Sequence, residues 1–473
     1  MQMMRIFTQE EIAKFISGSN IKILNLCHIP EDGRLRTLSF VATDPKRTEE
    51  ILQFGERVDG SSLFRSIEPG KSDIYIMPRL GRVFKDPFSS VPTINILCDY
   101  LDENGKPLDI SPKNVLEKAQ QKLRANSDID LKALAELEFY LISKQASETL
   151  FPAEADRNYH ESAPFTHFGD LRNEVMLTLA DIGIATKYGH SEVGHIMSKD
   201  GTLMEQQEIE FKAQNLVEIA EAIPIAKWVI RNTCAKHGIS ASFSPKVSMD
   251  HAGNGMHIHL CAIRKDKNIT ADQDGTPSPE AQKIIGGILK FAPSLSAFAN
   301  PTPASYLRLI ARAESPLNIC WSTRDRLSLI RIPLWWDFKK PSPRTNNNCR
   351  QTFEYRAPDA FANTYLLLAG IAVAADYGLE KPSESLRIAK ETRVVNSRGK
   401  NKTVKALPRS CSESAIELEK HRHYYEADNV FPKKLIDKTI ETLKSFRDGN
   451  LRKNIAEKPE EIEMTLKRYL HYG

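Results

Sequence analysis

Apolar and polar residues alternate with a period of two in three widely separated stretches of this chain. Ala135-Glu136-Leu137-Glu138-Phe139, Met256-His257-Ile258-His259-Leu260 and Phe353-Glu354-Tyr355-Arg356-Ala357 each read as a strand. Residues i and i+2 of a strand share a face, so Glu136 goes with Glu138, His257 with His259, and Glu354 with Arg356. Burying such groups unpaired is costly, so polar faces on apolar strands pair with one another or hold a metal. On one strand the pattern could be a satisfied polar edge; its recurrence on three suggests a site. The segment leading into the second strand, Ala252-Gly253-Asn254-Gly255, carries two close glycines and reads as a tight, exposed loop.

The rest of the pattern predicts a mixed chain. A short helix is expected over residues 10–18, then strands over 21–27 and 37–42 about the turn Pro30-Glu31-Asp32-Gly33, and a further strand over 93–98. Asp59-Gly60-Ser61-Ser62 is by itself an ordinary turn cluster. The turn-rich 102–107 marks a domain boundary, giving expected domains 1–107 and 108–473. Ser111-Pro112 supplies an N-cap and first-turn proline for a helix with apolar residues at 115, 116, 119 and 123. Helices are also predicted over 168–182 and over 215–237, the second ending at Gly238. A polar loop at Tyr159–Phe165 and an irregular insertion over 194–204 separate these elements, and Glu210 reads as part of a solvated rim. Arg312, Arg324, Arg326 and Arg331 alternate with apolar residues, so several are expected to point inward toward carboxylates or phosphates. Residues 395–473 are charged and helix-prone.

Composition narrows the function classes. The 473 residues are 41% hydrophobic and 27% charged, ordinary for a globular protein with a large core. The formal net charge of +4 gives no argument for nucleic acid or an anionic membrane as partner. The longest apolar run, 365–375, is well short of the roughly 20 residues of a membrane span and reads as a buried helix. Charges interrupt the opening residues, so no signal peptide is expected, and 7 scattered cysteines without a CxxC pair suit free thiols in the cytoplasm.

Taken in order, the motifs resemble glutamine synthetase of the bacterial class I type over about residues 58–377. They are Asp59-Gly60-Ser61-Ser62 with Ser72-Asp73, Glu136-x-Glu138, and His190-x-Glu192-Val193 followed by Glu208. Further on stand Pro245-Lys246, Gly255-Met256-His257-x-His259, Asn300-Pro301-Thr302 through Tyr306-x-Arg308, Glu314-x-Pro316, Arg326 through Arg331-Ile332-Pro333, and Glu354-x-Arg356-x-Pro358-Asp359. The resemblance implies an α+β fold, with a small N-terminal β-grasp domain and a larger catalytic domain whose curved antiparallel sheet is flanked by helices. It also implies a homo-oligomer, a ring-shaped dodecamer with active sites between subunits.

The family's chemistry is ATP-dependent ligation of ammonia to the γ-carboxylate of glutamate through a γ-glutamyl phosphate. A carboxylate repels nucleophiles and oxide is a poor leaving group, so activation by phosphate is needed, and the transferring phosphoryl group needs cations. By resemblance Glu138, Glu192 and Glu208 hold one divalent ion and Glu136, His257 and Glu354 another, with Mg2+ or Mn2+ suited to such oxygen-rich sets. Arg308 and Arg356 are implied at the amino acid's carboxylate and phosphate, with Gly253, Ser62 and Tyr159 lining the substrate. His259, Cys261, Arg326 and Arg331 fall to the nucleotide and phosphoryl transfer. Asp59, from the adjacent subunit, would bind ammonium and take its proton, and Glu314 would lie on a flap over the glutamate. The chain departs from the family at Ala252-Gly253-Asn254-Gly255, at Cys261, and in insertions at 194–204 and 335–348. Two other readings compete with ammonia ligation: a ligase joining glutamate to a larger amine or polyamine, and a non-catalytic structural or sensing assembly.

Overall fold

The computed structural model describes residues 8–144, 154–272, 275–311, 315–334, 351–394 and 404–472. The first helix, α1 (Gln9–Gly18), is fixed by a capping box in which Thr8 accepts from Glu11 N and Glu11 accepts from Thr8 N. Strands β1 (Ile23–His28), β2 (Arg36–Val41), β3 (Glu56–Asp59), β4 (Asp73–Lys85) and β5 (Thr93–Leu101) form one sheet in the order β2-β1-β5-β4-β3. Its central pair, β1 and β5, is parallel and largely buried on both faces, with Asn25 and Asn95 hydrogen-bonded side by side on one of them. The turn between β1 and β2 closes through Gly33 N to Pro30 O, with Gly33 at φ +72. Helix α2 (Pro45–Phe54) and strand β4 escaped the sequence reading. In α2 the apolar positions are few, and in β4 the alternation breaks at an irregularity between Pro78 and Val83.

This unit docks on the larger one through ion pairs. Arg79 and Arg82 of β4 reach the buried Glu221 at 2.6 and 2.9 Å. Glu221 belongs to α5 (Leu216–Lys236), whose Trp228 meets the rings of Phe84 and Phe88 edge-on. Between them lie α3 (Pro112–Ser127) and α4 (Gly169–Asp181). Helix α3 starts at Ser111-Pro112 as expected and buries Val115, Leu116, Ala119 and Leu123.

The second sheet is the curled, mainly antiparallel one that carries the chemistry. Its members are β6 (Asp130–Ser143), β7 (Thr186–Met197), β8 (Leu203–Phe211), β9 (Gln214–Asn215), β10 (Ser240–Ser242), β11 (Met256–Arg264), β12 (Lys267–Asn268), β13 (Trp321–Thr323), β14 (Ile330–Ile332) and β15 (Phe353–Tyr355). The main path runs β13-β14-β15-β11-β6-β8-β7. Helix α6 (Pro279–Ala299) packs beside β11, α7 (Pro303–Ile310) sends Arg308 to the carbonyls that follow β15, and α8 (Thr364–Glu380), which contains the predicted buried apolar run, packs on α3, α5 and α6. No described helix is long and apolar enough to cross a membrane.

The insertion read as irregular is instead a hairpin extension. β7 continues to Met197 and β8 resumes at Leu203, with His195 facing Glu205 and Ile196 facing Met204. A register shift between Ser191 and His195 hides the alternation from sequence. The second insertion, at 335–348, lies outside the described residues.

Candidate active site

Pairing register brings the polar strand faces into ranks. In one rank Arg331, Glu354 and His259 face one another across β14, β15 and β11. In the next, His257 faces Glu136, which faces Glu210. In the third, Glu138 faces Glu208, which faces His190. Of these, Arg331, His257, Glu136, Glu138, Glu208 and His190 line a cavity of about 310 Å³ that also receives Glu192, Arg308, Arg326 and Arg356, while Glu354, His259 and Glu210 lie behind its wall.

Glu136 is the hinge of the arrangement. Its carboxylate meets His257 Nδ1 and His259 Nε2, both at 2.9 Å. Burial would raise its pKa, but the two imidazoles hold it well below the carboxylate range. Glu354, wholly buried, pairs with both Arg331 and Arg356 and lies 3.4 Å from His257 Nδ1. Burial would again raise it, and Arg356 with the imidazoles brings it below its ordinary value. Glu138 accepts from Gly255 N at 2.7 Å and comes within 3.8 Å of His257 Nδ1. Glu208 behaves oppositely: burial and then the carboxylates of Glu136, Glu138, Glu192 and Glu210 push its pKa well up. Negative charge is therefore in excess on this side of the cavity, and the oxygen-rich donor set fits a hard divalent cation. His190 sits 3.7 Å from both Glu192 and Glu208, so it joins that pair, just as His259 joins Glu136 and Glu354.

Glycine enters this site for space. Neither Gly253 nor Gly255 has a positive φ, but a Cβ on Gly253 would lie 2.5 Å from Pro245 O, and one on Gly255 2.7 Å from Arg308 Nη2. The loop is also half-buried to buried, not exposed as predicted, because Asn254 is enclosed and its amide donates to Ser242 O and Ser244 O.

The arginines divide. Arg308 and Arg356 are buried, Arg331 is half-buried, and Arg324 and Arg326 are exposed, so the expectation of inward arginines holds only in part. Arg308 donates to the carbonyls of Ala357, Pro358 and Arg356 at 2.9, 3.2 and 3.2 Å, which aims the rest of its fork at the cavity. Arg326 lies over the Tyr159 ring at 6.0 Å. Cys261 is buried with its thiol toward Lys132 O and is absent from the cavity wall. Asp59 and Ser62 also lie elsewhere, at the end of edge strand β3, where Asp59 accepts from both Ser61 and Ser62 hydroxyls at 2.7 Å. Glu314 and Arg312 are outside the described residues.

Glu210 corrects the reading of it as a solvated carboxylate. It is 1% exposed and accepts from Lys187 Nζ at 2.7 Å, because it shares a face of β8 with Glu208. The sequence reading also missed Gln206, whose amide donates to Gly253 O at 3.0 Å and to Asn254 Oδ1 at 2.9 Å. The i, i+2 spacing that singled out Glu136 and Glu138 applies equally to Gln206 and Glu208. Asp156 and His251, paired at 3.1 Å on the cavity wall, come from separate loops with no periodic signal.

Comparison with known proteins agrees with this geometry. Residues 109–462 match the family described as glutamine synthetase, catalytic domain, and residues 20–103 that described as glutamine synthetase, beta-Grasp domain. A glutamine synthetase of Pyrococcus abyssi is 29% identical over 455 residues, covering 95% of this chain and 96% of that protein. One of Mycolicibacterium smegmatis is 28% identical, covering 97% and 98%. Among solved structures, Plasmodium falciparum glutamine synthetase superposes with a TM-score of 0.79 at 20% identity over 96% of this chain and 98% of that one. The ADP complex of a protein named GmaS gives 0.74 at 22% identity over 94% and 96%.

Proposed function

Because the chain belongs to the glutamine synthetase family, carbon–nitrogen ligases that work with ATP and divalent Mg2+ or Mn2+, we propose that it joins ammonia to the γ-carboxylate of glutamate. The observation that carries this reading is the meeting of a carboxylate cluster with guanidinium groups in one cavity. Glu138, Glu192 and Glu208 on one side, and Glu136, His257 and Glu354 on the other, would hold the cations, with His190 and His259 beside them. Bound there, the cations supply charge neutralisation for phosphoryl transfer.

The protein's own groups account for the remaining requirements. Arg308, fixed by three carbonyls, receives the α-carboxylate of glutamate, and Gly253 lets the backbone approach it. Arg356 and Arg331 carry positive charge along the side where Glu354 sits, and with Arg326 they stabilise negative charge building on the phosphoryl group. The γ-carboxylate takes the γ-phosphoryl group of ATP, releasing ADP, and ammonia then displaces phosphate to leave glutamine. Asp59 supplies the ammonium site from a neighbouring subunit of a ring. In support, no described residue on the cavity wall precedes Glu136, while Asp59 stands exposed on an edge strand. Tyr159, on the cavity wall, contributes to the substrate site in this reading, and the flap role of Glu314 rests on the family resemblance alone. The six described cysteines are all buried and none is in a disulfide, in keeping with a cytoplasmic setting.

Phosphate release measured with ATP, glutamate and a panel of ammonia, methylamine, ethanolamine and putrescine tests the proposal. Release stimulated most by ammonia is expected. Preference for a larger amine would reassign the acceptor, and no release with any would leave a non-catalytic assembly.

A further inference from the structure

Strand β8 has a second polar face. Gln206 and Glu208 point into the cavity, so alternation turns Glu205 and Gln207 to the opposite side of the sheet. There Gln207 Oε1 accepts from Arg172 of α4 at 2.6 Å, which confirms the direction. On this reverse face Glu205 is fully buried, opposite its cross-strand partner His195, and His167 comes down from the end of the 154–168 loop. One ring nitrogen of each histidine and one carboxylate oxygen of Glu205 lie within 4.8 Å of one another.

Two features make this more than a buried ion pair. His195 is 3% exposed, yet its Nε2 has no hydrogen-bond partner, and His167 Nε2 is likewise buried and unpartnered. His167 meets Glu205 through its other nitrogen, Nδ1, at 3.1 Å, so the orphan is the ring nitrogen not engaged by the carboxylate; two such buried imidazole nitrogens in one cluster are costly unless something accepts their lone pairs or protons. Glu205 is already oriented: it accepts from Thr166, from His167 N at 2.9 Å and from Gln207 Nε2 at 2.7 Å. Such outer contacts are what hold a metal-ligating carboxylate in place.

We propose that His167, His195 and Glu205 form a separate binding site for a zinc-class divalent ion, behind the sheet from the catalytic cluster. Two imidazoles and one carboxylate suit Zn2+ far better than Mg2+, whereas the carboxylate-rich front face has the opposite preference. Ligands of a tetrahedral ion at about 2.1 Å stand roughly 3.4 Å apart, a contraction within reach of small ring rotations. The ion would act as a clamp. His195 and Glu205 lie on the hairpin that carries Glu192 and Glu208, and His167 ends the loop that carries Asp156 and Tyr159 to the cavity wall. One ion would thereby fix the hairpin register and seat that loop.

The test uses the full chain, stripped with chelator, loaded with Zn2+, desalted, and assayed for bound metal. Wild type and Glu354→Gln should retain a tightly held Zn2+ that His195→Gln and Glu205→Gln lose, with affinity falling at least about 100-fold. Co2+ loading should give intense visible bands in wild type and Glu354→Gln but not in the other two. Should those variants fail to fold, anomalous scattering at the zinc edge from crystals of Zn2+-loaded wild type replaces them: the peak is expected between His167, His195 and Glu205. No tight Zn2+ in wild type, equal retention by His195→Gln, or no anomalous peak between those three residues would each overturn the site. Loss of Zn2+ from Glu354→Gln alone would place the ion in the catalytic cluster instead.

Discussion

A Cβ on Gly255 would lie 2.7 Å from Nη2 of Arg308, closer than two such atoms can approach. His257 Nε2 stands equally close, also at 2.7 Å, and both obstacles are ends of side chains, so Gly255→Ala should fold but push the guanidinium and the imidazole out of place. Misplacing the two should cost about 10²-fold or more in kcat/KM, with a higher glutamate requirement from Arg308 and weaker Mn2+ binding from His257. At Gly253 the obstacle is the rigid carbonyl of Pro245, at 2.5 Å, so Gly253→Ala should instead lose roughly 1–3 kcal/mol of stability. Urea unfolding and glutamate titration of both variants check the contrast. Equal stability losses, or an unchanged glutamate dependence in Gly255→Ala, would contradict it.

The carboxylate cluster predicts an unusual trade. Glu208 is buried among Glu136, Glu138 and Glu192, which raises its pKa and makes its ionised form costly at neutral pH. Removing that charge in Glu208→Gln should stabilise the metal-free protein by about 1 kcal/mol or more. The same change should abolish turnover and remove the stabilisation that Mn2+ with ATP gives to the wild type. Thermal unfolding with and without Mn2+ and ATP measures both effects, and a destabilised metal-free variant would refute the account.

How far the sequence went can be judged at particular residues. The i, i+2 pairs on β6, β11 and β15 foretold which side chains share a face, because strand periodicity is local. What they could not give was register, which depends on partners distant in sequence. Register alone placed Glu136 against His257 and Glu210 behind Glu136. Helix α3 was legible from its cap and apolar spacing, since both are local rules. The β7–β8 extension was not, because the shift between Ser191 and His195 breaks the alternation that would have announced it. The Gly253 loop was misjudged for a related reason: sequence shows that a residue lacks a Cβ, but not whether φ or a neighbour forbids one.

His28 gives the fold a pH signature outside the active site. It is buried on β1 against the Tyr100 hydroxyl at 2.6 Å, and burial together with the charge of Arg36 lowers its pKa to about 4. Unfolded histidine titrates near 6.5, so between 6.5 and 4 the unfolded chain binds a proton that the native one refuses. This contribution to stability is therefore complete above 6.5 and is lost as pH falls toward 4, by up to roughly 3 kcal/mol. His28→Gln should be the less stable protein at neutral pH, and the gap should narrow steadily on acidification. A constant gap across that range would mean His28 titrates normally.

The last prediction concerns what the cavity wall lacks. At neutral pH nearly all ammonia is protonated, so a ligase using it needs a carboxylate that attracts the cation and accepts its proton. Asp59 is suited to remain ionised: hydrogen bonds from the Ser61, Ser62 and Ser72 hydroxyls hold its pKa below the ordinary aspartate value. In one chain it sits on edge strand β3, away from the described cavity wall. Asp59→Asn keeps the shape and removes the charge, so ATP and glutamate binding should persist while the ammonia requirement rises and turnover slows. If the site is shared between subunits, Asp59 and Arg326 belong to different chains at each one. Dissociating and reassembling Asp59→Asn with Arg326→Ala should then restore part of the activity, because some sites in a mixed ring receive both intact residues. Failure to recover activity after subunit exchange verified by mass would make Asp59 only the cap of its turn, and would bring forward the larger-amine acceptor.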